Sequence, residues 1–220
     1  MNKENGVCTI YLVRHGESEA NVNKIVQGHT NSPLTEKGER QAEEVADVFK
    51  GVKFDAIYSS DLDRTRRTAE IIRLSRGIEI KTSPFLREKY FGIFEGKNHG
   101  EYMEVLKDEF EKFDNQLSTE ERWVHKAHPS IESDKELLDR FITYLREVAT
   151  SHLGEKVLIV AHRYAIRMFL LHLSLGKHEN LRDGALRTGG YAVLEFDGKD
   201  FVIKEVVGAE RSTITQRSKL

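Results

Sequence analysis

Cys8-Thr9-Ile10-Tyr11-Leu12-Val13 runs directly into Arg14-His15-Gly16-Glu17-Ser18. The first six residues are apolar or β-branched, as in a buried strand, and the next five are polar residues and a glycine released at its carboxyl end. Val157 to Ala161 repeats the pattern and ends on His162-Arg163. Three further segments read as strands: Phe54 to Tyr58, Ile78 to Lys81, and Tyr191 to Phe196.

Helical patterns separate most of these strands. Ala42, Val45, Ala46 and Phe49 recur at i, i+3, i+4 and i+7 after Pro33, with Gly51 where a C-terminal cap belongs. Leu137, Leu138, Phe141 and Leu145 form a second apolar face, and Ser133 with Glu136 has the spacing of a capping box. A third face, Ile166, Phe169, Leu170 and Leu173, follows Val160. Strands alternating with helices of this length imply right-handed crossovers, hence a three-layer α/β/α fold on a mostly parallel sheet. Asp197-Gly198 between Tyr191 to Phe196 and Phe201 to Val207 reads as a hairpin that adds an antiparallel edge strand.

Length and composition fit one domain over residues 1–220. Residues 95–134 carry no strand signal and count 11 acidic against 5 basic residues, which reads as a helical cap inserted over the strand C-terminal ends. Residues 208–220 read as a polar tail. A net charge of -2 provides no global field toward nucleic acid or anionic membrane. Cys8 is the single cysteine, so neither an intrachain disulfide nor a cysteine-based metal site is open to it. No apolar stretch approaches the ~20 residues of a spanning helix, and the polar start lacks the core of a secretion signal. The expectation is a cytoplasmic protein, with its oligomeric state unreadable.

In an open parallel sheet, ligands bind outside the carboxyl ends of the strands. Four predicted strand ends deliver Arg14, His15 and Glu17; Ser59, Ser60 and then Arg64; Arg87 and Glu88; and His162 with Arg163. Arginines, two histidines and carboxylates thus converge on one edge.

These stretches resemble the histidine phosphatase superfamily, which includes the phosphoglycerate mutases. The likeness rests on Arg14-His15-Gly16-Glu17-Ser18 with Asn21; Gln27-Gly28; Ser32-Pro33-Leu34-Thr35 with Gly38; Tyr58-Ser59-Ser60-Asp61-Leu62 with Arg64; Leu86-Arg87-Glu88 with Gly92; and Val160-Ala161-His162. Pro129, Glu132, Ser133 and Arg140 resemble the family's Pro-Gly-Gly-Glu-Ser helix start, with Ser130 and Ile131 replacing the glycines. Arg163 stands where the family has a glycine after its second histidine. The resemblance implies a phosphohistidine formed on His15, and contacts to phosphate or substrate from Asn21, Gln27 and Gly28; Gly16, Glu17, Ser18 and Arg163 belong to the same expected substrate-binding set.

The chemistry of the residue types agrees. Phosphoryl transfer needs preorganised positive donors, and the permanently charged forks of Arg14 and Arg64 match pairs of phosphoryl oxygens. His162 adds a donor. His15 must keep one ring nitrogen unprotonated to attack phosphorus, and nearby arginine charge favours that form. A backbone carbonyl would fix its tautomer, and Gly16 would leave room for phosphate beside the ring. Glu88 is the expected proton donor to the departing alkoxide and then the base for water, with Asp63 or Glu17 as alternatives.

His125 and His128 lack a third ligand at metal spacing, so no metal or other cofactor is expected. The partner is a small phosphate ester or inorganic phosphate. Three functions compete: a phosphatase, favoured by Gln27-Gly28 and the segment from Leu86 to Gly92; a mutase that returns the phosphoryl group to a sugar acid; and a phosphate-binding module with weak turnover because of Arg163.

Overall fold

The computed structural model describes residues 6–74, 77–173 and 186–209. In chain order they form β1 (Cys8–Arg14), α1 (Glu19–Val22), α2 (Glu36–Val48), β2 (Ala56–Ser60), α3 (Asp63–Arg73), β3 (Ile80–Ser83), α4 (His99–Val105), α5 (Lys107–Asn115), α6 (Thr119–Val124), α7 (Asp134–Ser151), β4 (Lys156–Ala161), α8 (Arg163–Leu173), β5 (Leu186–Phe196) and β6 (Phe201–Ala209). The six strands make one sheet in the order β3-β2-β4-β1-β5-β6. β3, β2, β4 and β1 run parallel, and β5 and β6 add antiparallel pairings on one side.

Both faces are covered because the strands carry apolar side chains on both sides. Ile10, Leu12, Ile159 and Ala161 pack with Leu137, Phe141, Ile166 and Phe169 of α7 and α8. Val13, Ile57, Leu158 and Val160 pack with Val45 of α2 and with Ala69 and Ile72 of α3. Phe141 and Phe169 are fully buried and in ring contact, each contributing roughly 1.5–3 kcal/mol by leaving water.

The capping box at Ser133 and Glu136 forms as the spacing implies. α3 shows no cap bond from its N-cap Leu62 and buries Arg64, Thr65, Thr68, Ala69 and Ile72. β2 begins two residues later than the apolar pattern implies: Phe54 is buried in the core but stands outside the ladder, while Ser59 and Ser60 pair within it. β3 is displaced the same way, from Ile78 to Lys81 to Ile80–Ser83. α2 ends on Phe49 as C-cap, so Gly51 falls in the following turn. β5 reaches back to Leu186 across a register shift that accommodates Gly189 and Gly190, and Gly208 and Ala209 belong to β6 rather than to a tail. The remainder of the expected tail, 210–220, lies outside the described residues.

Residues 95–134 hold α4, α5 and α6. Tyr102 and Leu106 pack on Val26, Phe94 and Ile131 in a small core of their own, so α4 is anchored to the loop after β1. Among the described residues no helix is long and apolar enough to cross a membrane.

Candidate active site

Register places the two histidines together. β1 and β4 are parallel neighbours with Arg14 opposite Ala161, so the next residue of each strand is a histidine. The His15 amide donates to Ala161 O at 3.2 Å, and the rings of His15 and His162 meet edge to face with centroids 5.2 Å apart. Both are buried, at 3% and 0% exposure.

The His15 ring is held by its own loop. Nδ1 lies 2.7 Å from Gly16 O, and because a carbonyl only accepts, Nδ1 carries the proton and Nε2 keeps its lone pair. Burial, then the charges of Arg64 and Arg14, hold the imidazole well below its ordinary pKa, outweighing the Gly16 carbonyl. His162 is depressed in the same way by burial, Arg64 and His15, and neither of its ring nitrogens has a hydrogen-bond partner among the described residues.

Gly16 is required by packing. A Cβ there would lie 2.2 Å from Gly38 O, so the loop rests directly on the first turn of α2. The Gly16 amide also donates to Thr68 Oγ1 at 3.1 Å, tying the loop to α3.

Arg14 donates from Nη1 to Leu186 O at 2.7 Å. Arg64 stands in the first turn of α3, beyond β2, and donates to Thr30 O at 2.8 Å and Gly28 O at 2.9 Å. Burial lowers its pKa to about 10, against which Glu88 and Glu95 act, so it remains a cation at neutral pH. Gly28 adopts a positive φ of 51° as it presents that carbonyl.

Glu88 lies at the start of α8. Oε1 accepts from Lys89 N at 2.9 Å and Ala165 N at 3.1 Å, and Oε2 accepts from Tyr164 N at 3.0 Å. Helix start and backbone amides together make a carboxylate cradle. The ion pairs that would have made Glu88 an ordinary surface residue form elsewhere, Arg87 with Asp61 and Lys89 with Asp134.

A cavity of about 540 Å³ opens over these groups, its wall including Arg14, His15, Arg64 and Glu88. Asn21, Gln27, Gly28 and Arg163 also line it, and Arg163 is exposed at the start of α8 without displacing His162. Two expected substrate contacts are committed to the fold instead. The Glu17 carboxylate bonds Thr35 and Lys37, and Ser18 is the buried N-cap of α1, bonded to Asn21 and Gln27. As an alternative proton donor Glu17 is therefore turned away, and Asp63 is exposed at the first position of α3.

Residues 10–207 match the histidine phosphatase superfamily (branch 1). The chain belongs to that superfamily. Probable phosphoglycerate mutase GpmB of Photorhabdus laumondii subsp. laumondii is 39% identical over 165 residues, which cover 71% of this chain and 70% of the relative. Bacillus stearothermophilus YhfR superposes with a TM-score of 0.81 at 30% identity, over 93% of this chain and 98% of its own. The alpha-ribazole phosphatase from Shigella flexneri gives 0.74 at 25% identity, over 91% and 96%. The superfamily's phosphatases and mutases thus both stand near this chain.

Within this histidine phosphatase fold, the residues that hold Glu88 were not singled out for that task by the sequence. Arg140 of α7 donates to Phe85 O at 2.9 Å, Arg87 O at 2.9 Å and Glu88 O at 2.8 Å, and forks onto both oxygens of Glu132 at 2.7 and 2.9 Å. Glu95 accepts from His29 N and Phe91 N, fastening the Gln27-Gly28 loop to the segment after Glu88. The Arg140 bonds to Phe85, Arg87 and Glu88 and the Glu95 bond to His29 join residues more than fifty positions apart, beyond any local pattern.

Proposed function

We propose that the protein is a metal-independent phosphomonoester hydrolase that works through a phosphohistidine on His15. The observation that carries the reading is the Nδ1 to Gly16 O bond of 2.7 Å, which orients a neutral imidazole beside Arg14 and Arg64. Arginines bind phosphoryl oxygens directly and supply the charge that transfer requires.

Nε2 attacks phosphorus, the P–N bond forms, and the ester P–O bond breaks as Glu88 gives its proton to the departing oxygen. Oε2 of Glu88 accepts one backbone bond where Oε1 accepts two, so Oε2 has room for that proton. In the second half Glu88 takes a proton from water, whose oxygen displaces the imidazole and releases inorganic phosphate. His162 and Arg64 stabilise the equatorial oxygens in both steps.

The relative named as a phosphoglycerate mutase favours one second reading, in which the phosphoryl group returns to a sugar acid. A panel of phosphate esters assayed in chelator, with wild type and His15→Ala, separates the two. Wild type should release inorganic phosphate, accumulate an acid-labile phosphoryl adduct and need no bisphosphoglycerate, and His15→Ala should lose both adduct and turnover. Undiminished turnover in His15→Ala would remove the mechanism; conversion of 3-phosphoglycerate to its isomer without phosphate release would make the protein a mutase.

A further inference from the structure

Across the cavity from the phosphate cradle sits a charged pair that the mechanism does not use. Lys89 Nζ lies 2.6 Å from Asp134 Oδ1, with the side chains 12% and 5% exposed. The ammonium stands 4.7 Å from the centroid of the Tyr164 ring, and the Tyr164 hydroxyl donates to Asp134 Oδ2 at 3.2 Å. Lys89, Asp134 and Tyr164 all line the cavity that holds His15. They come from the segment after β3, the first residue of α7, and the start of α8.

Burial weakens the Lys89 ammonium, but Tyr164 and Asp134 outweigh it and raise the pKa, while burial pushes the Tyr164 hydroxyl up to about 12. Lys89 is therefore a cation and Tyr164 a neutral donor throughout the working range. An ammonium has three N–H donors and a carboxylate about four lone-pair sites, so the bonds above leave both groups with capacity toward the cavity. Val26, Phe91, Phe110, Phe113 and Ile131 supply the apolar part of the cavity wall.

We propose that Lys89 and Asp134 form a leaving-group subsite that binds a hydroxyl, making the substrates phosphate esters of uncharged polyols such as sugars. This rests on the hydrolase reading above. A hydroxyl both donates and accepts, which matches an adjacent acceptor and donor. A carboxylate only accepts, so it could meet the Lys89 ammonium but would leave Asp134 unanswered and face Asp114 on the cavity wall. The acidic excess of residues 95–134 acts in the same direction. An entirely apolar alcohol would leave the pair covered and unanswered, which costs affinity.

The test is steady-state hydrolysis of glucose 6-phosphate, n-butyl phosphate and 3-phosphoglycerate by wild type and Lys89→Met. All three are alkyl esters, so a disturbed Glu88 slows each of them; of the first two, only glucose 6-phosphate offers free hydroxyls. Wild type should prefer glucose 6-phosphate to 3-phosphoglycerate. Lys89→Met should lower its kcat/KM advantage over butyl phosphate by about ten-fold or more, chiefly through KM. Lys89→Met/Asp134→Leu, which leaves no buried carboxylate unpaired, should give the same change and serves if the single variant does not fold. An equal fall on glucose 6-phosphate and butyl phosphate, an unchanged ratio, or a wild-type preference for 3-phosphoglycerate overturns the subsite while leaving a hydrolase. If wild type hydrolyses none of the three, both readings fail.

Discussion

At one end of the cavity His15, Arg14 and Arg64 each donate to main-chain carbonyls, those of Gly16, Leu186, Thr30 and Gly28. At the other end Lys89, Asp134 and Tyr164 hold one another by side chain alone, from three separate segments. The first arrangement follows from strand register and survives exchange of most neighbouring side chains. The second depends on every member being present. A superfamily that keeps its phosphoryl chemistry while changing its alcohol would need this division, with the reaction fixed to the sheet and the selection carried by substitutable side chains.

Arg64→Met gives the strongest test of that division. On the proposed mechanism the guanidinium serves the phosphoryl group, so its loss should lower kcat/KM by about a thousandfold for every ester, with the ratio between esters unchanged. A loss that varied with the alcohol would place Arg64 in leaving-group selection and erase the contrast. The measurement is kcat/KM across esters of differing alcohols.

Glu88 stands at the junction, and its variant should behave in neither way. Glu88→Gln keeps the backbone acceptor at one oxygen and removes the proton. Alkyl esters, whose alkoxide needs protonation, should slow by about a hundredfold, while aryl esters with acidic phenols should slow far less. A uniform loss across leaving groups would make Glu88 a structural pin at the start of α8 and move the acid elsewhere.

The two ends also differ in how far the sequence disclosed them. His15 and His162 follow apolar strand runs, and once β1 and β4 are neighbours their convergence needs only the position directly after each strand. Arg64 sits four residues beyond the end of β2, close enough for the same inference. Strand limits were less legible: Phe54 reads as ladder but only packs, and Ser59 and Ser60 read as following the strand but pair inside the sheet. The packing of Gly16 on Gly38 could not be read from the sequence, because the contact is made only when α2 closes on the loop. Lys89 and Asp134 were invisible as a pair. They are 45 positions apart, and each alone has the spacing of an ordinary surface charge.

The smallest expected effect concerns acid stability, and it too separates the ends. His15 and His162 are held neutral in the fold with pKa values below the ordinary one of 6.5. Below pH 6.5 the unfolded chain takes up protons that these folded rings refuse, so stability must fall as the pH drops from 6.5 toward their folded values. Each ring contributes a slope of up to ~1.4 kcal/mol per pH unit over that window, and nothing above it. Lys89 contributes no slope there, because its raised pKa keeps it protonated in both states. Urea unfolding at successive pH values should therefore show a slope, to which His29 with its own lowered pKa adds, that His162→Asn reduces by up to ~1.4 kcal/mol per pH unit. Lys89→Met should shift the whole curve without changing that slope. If His162→Asn left the slope intact, the ring would already be charged at neutral pH, and the neutral pair at the end of β1 and β4 would have to be replaced by a hydrogen-bonded cation.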